Sequence, residues 1–153
     1  MRRKTAFRLL IIPALVFPIV GIFFMLWAWS SFDASDVRGD SIKFSFLAPD
    51  YLKSVKIIEK CSEPLFRWKG RDGEGSPFSS IRYGSFASPN QLAKYYTLEL
   101  KKNGCKVAKL HTISHNDRAI DFICTNNQFH EIQIQFHEKN DCADVAIFFT
   151  EKD

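Results

Sequence analysis

The side chains whose types and spacing come closest to a reactive set are His115, Asp117 and His137. Two imidazoles and a carboxylate suit a transition metal. They meet only if the chain folds into antiparallel hairpins that bring 115–117 and 137 to one end of a sheet, with Asp141 in the neighbouring turn. That set would make the protein a metal-handling protein or a metal-dependent enzyme. Polar loop ends also collect such residues with no chemistry attached. His111 and His115 are four apart, a metal-binding spacing on a helix. Thr112 and Ile113 favour a strand instead, where i and i+4 lie about 13 Å apart, too far to share one ion. Gly70 to Ser76 (GRDGEGS) has the glycine spacing of a phosphate-binding loop. It lacks the lysine that follows the second glycine in that motif, and Asp72 and Glu74 would repel phosphate. A hairpin loop is the better reading.

Gly39-Asp40-Ser41-Ile42 resembles the nucleophile block of GDSL-type hydrolases. Their serine needs a histidine base from an Asp-x-x-His, and none of the four histidines here has Asp three positions before it. No catalytic set and no cofactor site therefore stands out, and a non-enzymatic protein is expected.

Charge narrows the classes further. The chain has 21 Lys/Arg against 17 Asp/Glu. Arg2, Arg3, Lys4 and Arg8 precede every acidic residue, so the 17 remaining cations meet 17 anions and the rest is formally neutral. Nucleic-acid affinity comes largely from phosphate neutralisation, so no nucleic-acid partner is expected.

The four early cations head an uncharged run, Leu9 to Trp29. As a helix it would span about 31 Å, close to a bilayer's hydrocarbon thickness. The expected organisation is a cytoplasmic basic tail (1–8), a transmembrane signal anchor (9–29), a linker (30–40) and one extracytoplasmic domain (41–153). Arg2, Arg3, Lys4 and Arg8 would set an N-in orientation, and Trp27 and Trp29 would sit in an interfacial belt. Pro13 and Pro18 would kink the helix. A cleavable signal ending at Ala28-Trp29-Ser30 is the alternative, against which the run is longer than a usual signal core.

The elements that must position the candidate residues are best marked by a helix at 89–103. Ser88 caps it, Pro89 takes its first turn, and Gln91 completes a capping box. Leu92, Tyr95, Tyr96 and Leu100 form one apolar stripe, and Gly104 ends it. Four strands follow: 105–113, 118–125, 129–138 and 142–150. In the third, His130, Ile132, Ile134 and Phe136 share one face, while Glu131, Gln133, Gln135 and His137 share the other, wet one. Before the helix, 41–47 reads as a strand, and 64–70 with 78–86 as a hairpin. Phe44, Phe46, Phe122, Phe136, Phe148 and Phe149 read mostly as core. Phe66, Trp68 and Tyr83 could instead form an aromatic binding surface. The fold class expected is α+β: the N-terminal transmembrane helix, then a mostly antiparallel sheet with one or two helices on one face.

The meander also sorts the cysteines. Cys61, Cys105, Cys124 and Cys142 make an even count with no CxxC, which favours two disulfides in an oxidising compartment. The register puts Cys105 almost opposite Cys124. Cys142 falls nine residues, about 30 Å, further along the sheet, beyond the reach of a disulfide. The pairs expected are Cys105–Cys124 and Cys61–Cys142.

The stretch 85–107 (SFASPNQLAKYYTLELKKNGCKV) with the strands after it resembles a pattern of small bacterial envelope proteins. There a strand leads to a helix with an aromatic-Tyr pair, then Leu, then Gly and the next strand. Tyr95-Tyr96, Leu100 and Gly104-Cys105 hold those places, with Cys105 where the pattern more often has Trp. The resemblance implies a periplasmic domain at the bacterial inner membrane. On this reading the protein binds a partner protein in the envelope through the outer sheet face or the loop 70–76. A toxin-neutralising immunity role, an accessory subunit of a membrane complex, and the metal-handling role of His115, Asp117 and His137 are the alternatives.

Overall fold

The computed structural model describes residues 16–28, 32–70, 76–112, 117–125, 128–139 and 141–152. It divides into two compact units, 1–32 and 33–153.

In the first unit, residues 16–28 form helix α1, within which the rings of Phe24 and Trp27 lie 5.9 Å apart. Among the described residues no helix is long and apolar enough to cross a membrane. The expected transmembrane helix over 9–29, and with it the expected fold class, is corrected accordingly. Arg2, Arg3, Lys4, Arg8 and Trp29 lie outside the described residues.

Among the described residues the second unit is a seven-stranded antiparallel sheet with one longer helix and two short ones. The chain runs β1 (Asp33–Arg38), α2 (Ile42–Leu47), α3 (Asp50–Ser54), β2 (Leu65–Lys69), β3 (Phe78–Ser85), α4 (Pro89–Lys102), β4 (Cys105–Thr112), β5 (Asp117–Cys124), β6 (Phe129–His137) and β7 (Ala143–Glu151). In space the order is β1-β2-β3-β7-β6-β5-β4. The last four strands form the expected meander, and β7 returns to pair with β3 along its whole length. The domain starts earlier than expected, because the supposed linker contains the edge strand β1.

Helix α4 forms for the reasons its sequence suggests. The Ser88 hydroxyl accepts from the Gln91 amide, the Gln91 side chain accepts from the Ser88 amide, and Pro89 fills the first turn. Lys101 and Lys102 suit the negative C-terminal end. Gly104 follows with φ 79°, a left-handed turn that a side chain would strain. The inner sheet face packs beneath α4 and carries Ile81, Tyr83, Phe122, Ile132, Ile134, Phe136, Val145, Ile147 and Phe149. Leu92 and Tyr96 are the buried anchors of the helix. The Tyr96 hydroxyl meets that of Tyr83 at 2.6 Å. Burial first, then the neighbouring tyrosine, holds the Tyr96 phenol well above its ordinary range.

Segment 41–47 departs from its expectation. Its apolar residues alternate as in a strand, yet Ser41 caps a helical turn by accepting from the Phe44 amide at 3.1 Å. Phe44 then stacks on Phe66 at 4.2 Å, and Phe46 points outward, 81% exposed. The alternative of an aromatic binding surface fails, and ordinary packing holds: Phe66, Trp68 and Tyr83 are all buried in the core.

Two disulfides close the domain, Cys61–Cys142 and Cys105–Cys124. The first ties the segment before β2 to the start of β7. The second joins directly paired residues of β4 and β5.

Candidate functional site

The face of the sheet opposite α4 carries the strongest concentration of ordered polar side chains. Alternation places Asp117, Ala119, Asp121 and Ile123 of β5 there, beside Glu131, Gln133, Gln135 and His137 of β6. Next come Asp144, Ala146 and Phe148 of β7, then Ser80 and Arg82 of β3, then Leu65 and Arg67 of β2. Within this unit none of α2, α3 and α4 lies on this face. The register shifts in β1, β4 and β6 are irregularities of the kind that raise local twist. The centre of the face becomes a trough of about 760 Å³, lined among others by Arg67, Arg82, Asp117, His137, Asp144 and Phe148.

A chain of hydrogen bonds runs from Gln135, in the wall of the trough, across the outer face to His111. Gln135 Nε2 donates to Gln133 Oε1 at 2.7 Å, and Gln133 Nε2 donates to Asp121 Oδ1 at 2.8 Å. The other oxygen of Asp121 meets His111 Nε2 at 2.6 Å. On the opposite flank the Arg67 guanidinium lies over the Phe78 ring at 5.2 Å.

The Asp121 carboxyl sits below the usual carboxylate range. Burial alone would raise it, but hydrogen bonds from Gln133 and His111, and the charges of His111 and Lys109, outweigh burial. A lowered folded value stabilises the fold above the unfolded value of about 3.9, and that stability is lost as pH falls through the folded value. Between pH 5 and 2.5 the wild-type Tm is therefore expected to fall more steeply than that of Asp121→Asn. Equal slopes in a thermal-melt pH series would refute this.

The sequence-derived candidates are only partly assembled. Asp117 and His137 do come together, with His137 Nδ1 hydrogen-bonded to Asp117 Oδ1 at the end of the trough. His115 and the residues 71–75 of the glycine-rich loop lie outside the described residues. Among the described residues no three His, Cys, Asp or Glu side chains gather as metal ligands would. His130 does not share the face of Ile132. An irregularity between Phe129 and Glu131 buries Phe129 and leaves His130 exposed. The pair His111–Asp121 went unread because their strands do not hold one register. Cys105 pairs Cys124, but after a shift between Val107 and Lys109 it is Ala119 that faces His111.

No family model, curated protein or solved structure matches this chain. The site therefore has to be read from its own chemistry. Arg67 and Arg82 on the neighbouring strands β2 and β3 face Asp144 on β7 and Asp117 on β5 across the trough, with Phe148 also on β7. A polyanion would meet Asp117 and Asp144 as well as Arg67 and Arg82, so the surface suits a partner of mixed charge.

Proposed function

We propose that residues 33–153 form a non-catalytic recognition domain that works in an oxidising, extracytoplasmic compartment. It docks a partner protein in the trough on the outer sheet face. The observation that carries this reading is the hydrogen-bonded row His111–Asp121–Gln133–Gln135 on the outer face, which ends at Gln135 in the wall of the trough. Side chains already ordered in the free protein lose less rotamer freedom on binding, each immobilised one otherwise costing about 0.5–1.5 kcal/mol. The two disulfides support the compartment, since such bonds persist where the surroundings are oxidising. The mixed charge of the trough supports a protein partner over a nucleic acid.

The test uses a photo-crosslinking side chain incorporated at Gln135 in the trough or at exposed Leu98 on α4, in cells that produce the full chain. One discrete crosslinked species is expected from Gln135 and none from Leu98. Adding Arg82→Glu is expected to lower that yield about tenfold, the equivalent of about 1.4 kcal/mol, with Tm unchanged. Crosslinking from Leu98 alone, or indifference to Arg82→Glu, would reject the trough as the docking surface.

A further inference from the structure

The inner face of the sheet, opposite the trough, is covered unevenly. Seven strands about 4.8 Å apart make a sheet roughly 29 Å wide, while a helix is about 10 Å across. One full-length helix and two helices of 6 and 5 residues cannot cover that width evenly. A cleft of about 320 Å³ remains between the C-terminal half of α4 and the segment that runs from Tyr51 to Lys56. Phe129, Ile132, Ile134, Ile147 and Phe149 form its floor.

The cleft has a definite chemistry. Of the hydroxyls that line it, those of Tyr51, Ser54 and Tyr96 already have partners. Tyr51 donates to Glu151 at 2.6 Å and lies 2.7 Å from the Ser79 hydroxyl. Tyr96 donates to the Lys56 carbonyl at 3.1 Å and lies 2.6 Å from the Tyr83 hydroxyl. Among the described residues no buried side-chain polar atom lacks a hydrogen bond. A polar group pushed onto the floor of Phe129, Ile132, Ile134, Ile147 and Phe149 would stay unsatisfied, at about 1–3 kcal/mol each, whereas hydrocarbon would gain by leaving water. An engineered apolar cavity of about 150 Å³ holds benzene, and this cleft has about twice that volume, enough for a chain. At its mouth Glu99 is already paired with Lys102 at 3.3 Å. Lys56 is exposed there with no ion-pair partner among the described residues.

We propose that this cleft binds a single-chain anionic amphiphile, with the hydrocarbon tail on the isoleucine floor and the anionic head at Lys56. The site is independent of the trough. A free amphiphile and an acyl chain of a membrane lipid share this chemistry, and the two arms of the test separate them.

The test titrates the full, disulfide-intact chain with dodecanoate below its micelle concentration. Saturable one-to-one binding is expected by calorimetry. Lys56→Glu is expected to weaken it about tenfold at low salt while dodecanol still binds. Val55→Trp and Leu100→Trp, which fill the mouth, are each expected to abolish binding of both compounds with the circular dichroism unchanged. If neither tryptophan variant folds, dodecanoate-induced methyl shifts confined to Ile132, Ile134 and Ile147 take their place as support. Sedimentation with phosphatidylglycerol vesicles that is lost in the filled variants would assign the tail to membrane lipid. Dodecanoate binding without sedimentation would assign a free amphiphile. The proposal is overturned by absent saturation, by binding that survives both filled variants, by methyl shifts elsewhere, or by dodecyltrimethylammonium binding as tightly as dodecanoate.

Discussion

Replacing Cys61 and Cys142 together by alanine is expected to lower the unfolding free energy by about 4 kcal/mol and Tm by about 15 °C. The bond closes a chain segment with a sequence separation of 81, and Cys105–Cys124 one of 19. Loop-closure entropy grows with the logarithm of that separation. The smaller loop lies inside the larger one, so with Cys105–Cys124 intact the outer bond constrains fewer free residues, which trims its contribution only slightly. The inner bond is expected to be worth about 3 kcal/mol by the same relation. It also joins strands already hydrogen-bonded at that position, so losing it leaves the register in place. The outer bond is different, because the backbone hydrogen bonds from Cys61 and Ser62 to Gly84 are the main neighbouring ties of that segment. Loss of both bonds removes an amount comparable to a whole domain's stability of about 5–15 kcal/mol, so the reduced protein is expected to be largely unfolded at 37 °C. Thermal melts of the two paired-alanine variants check the ranking. A shift under about 3 °C for the Cys61/Cys142 variant would show that the unfolded chain is not the state the bond constrains.

The parts of this fold that sequence reveals are those where local chemistry and tertiary packing agree. Helix α4 carries its own cap, proline, apolar stripe and terminal glycine, and each does in three dimensions what it suggests in one. The strand β7, and β6 from Glu131 on, alternate because one face is buried and the other more exposed. The failures sit where one residue breaks the period. In β1 the inward residues are Ala34 and Val37, three apart rather than two, because the strand is irregular between them and Asp36 adopts φ 53°. That spacing hides the strand inside what reads as a linker. In 41–47 the alternation is real but the Ser41 cap and Pro49 override it, and the strand pattern ends as a helix with Ile42 and Phe46 exposed. The trough is legible in part. Gln133, Gln135 and His137 follow from alternation in β6, whereas Arg67, Arg82 and Asp144 needed the order β2-β3-β7, a long-range pairing with no local signature.

Gly84→Ala is expected to destabilise the oxidised protein by about 3 kcal/mol, and a double-mutant cycle will assign most of that to the Cys61–Cys142 bond. Two effects of opposite sign compete at this position. An alanine in mid-strand relieves a backbone-entropy cost of roughly 0.5–1 kcal/mol, which would stabilise. Against it, an added Cβ would lie 2.5 Å from Cys142 Sγ, 2.8 Å from Cys61 Sγ and 2.8 Å from Ser62 Oγ. Carbon contacts are comfortable only near 3.5–4.0 Å, so something must move by about an ångström. Ser62 can turn away, though its hydroxyl accepts the Gly84 amide at 2.6 Å. The bonded sulfurs cannot, because each is tethered through the other to a separate segment. Nor can Gly84 itself retreat, since its carbonyl accepts from the Cys61 amide at 2.9 Å and β7 pairs it at Asp144. The steric term therefore wins. In the Cys61→Ala/Cys142→Ala background both sulfurs are gone, and the same glycine substitution is expected to cost no more than about 1 kcal/mol, a coupling of about 2 kcal/mol. Urea unfolding of the four variants measures it. Costs that add within about 0.5 kcal/mol would show that the strand yields to the side chain without disturbing the bond.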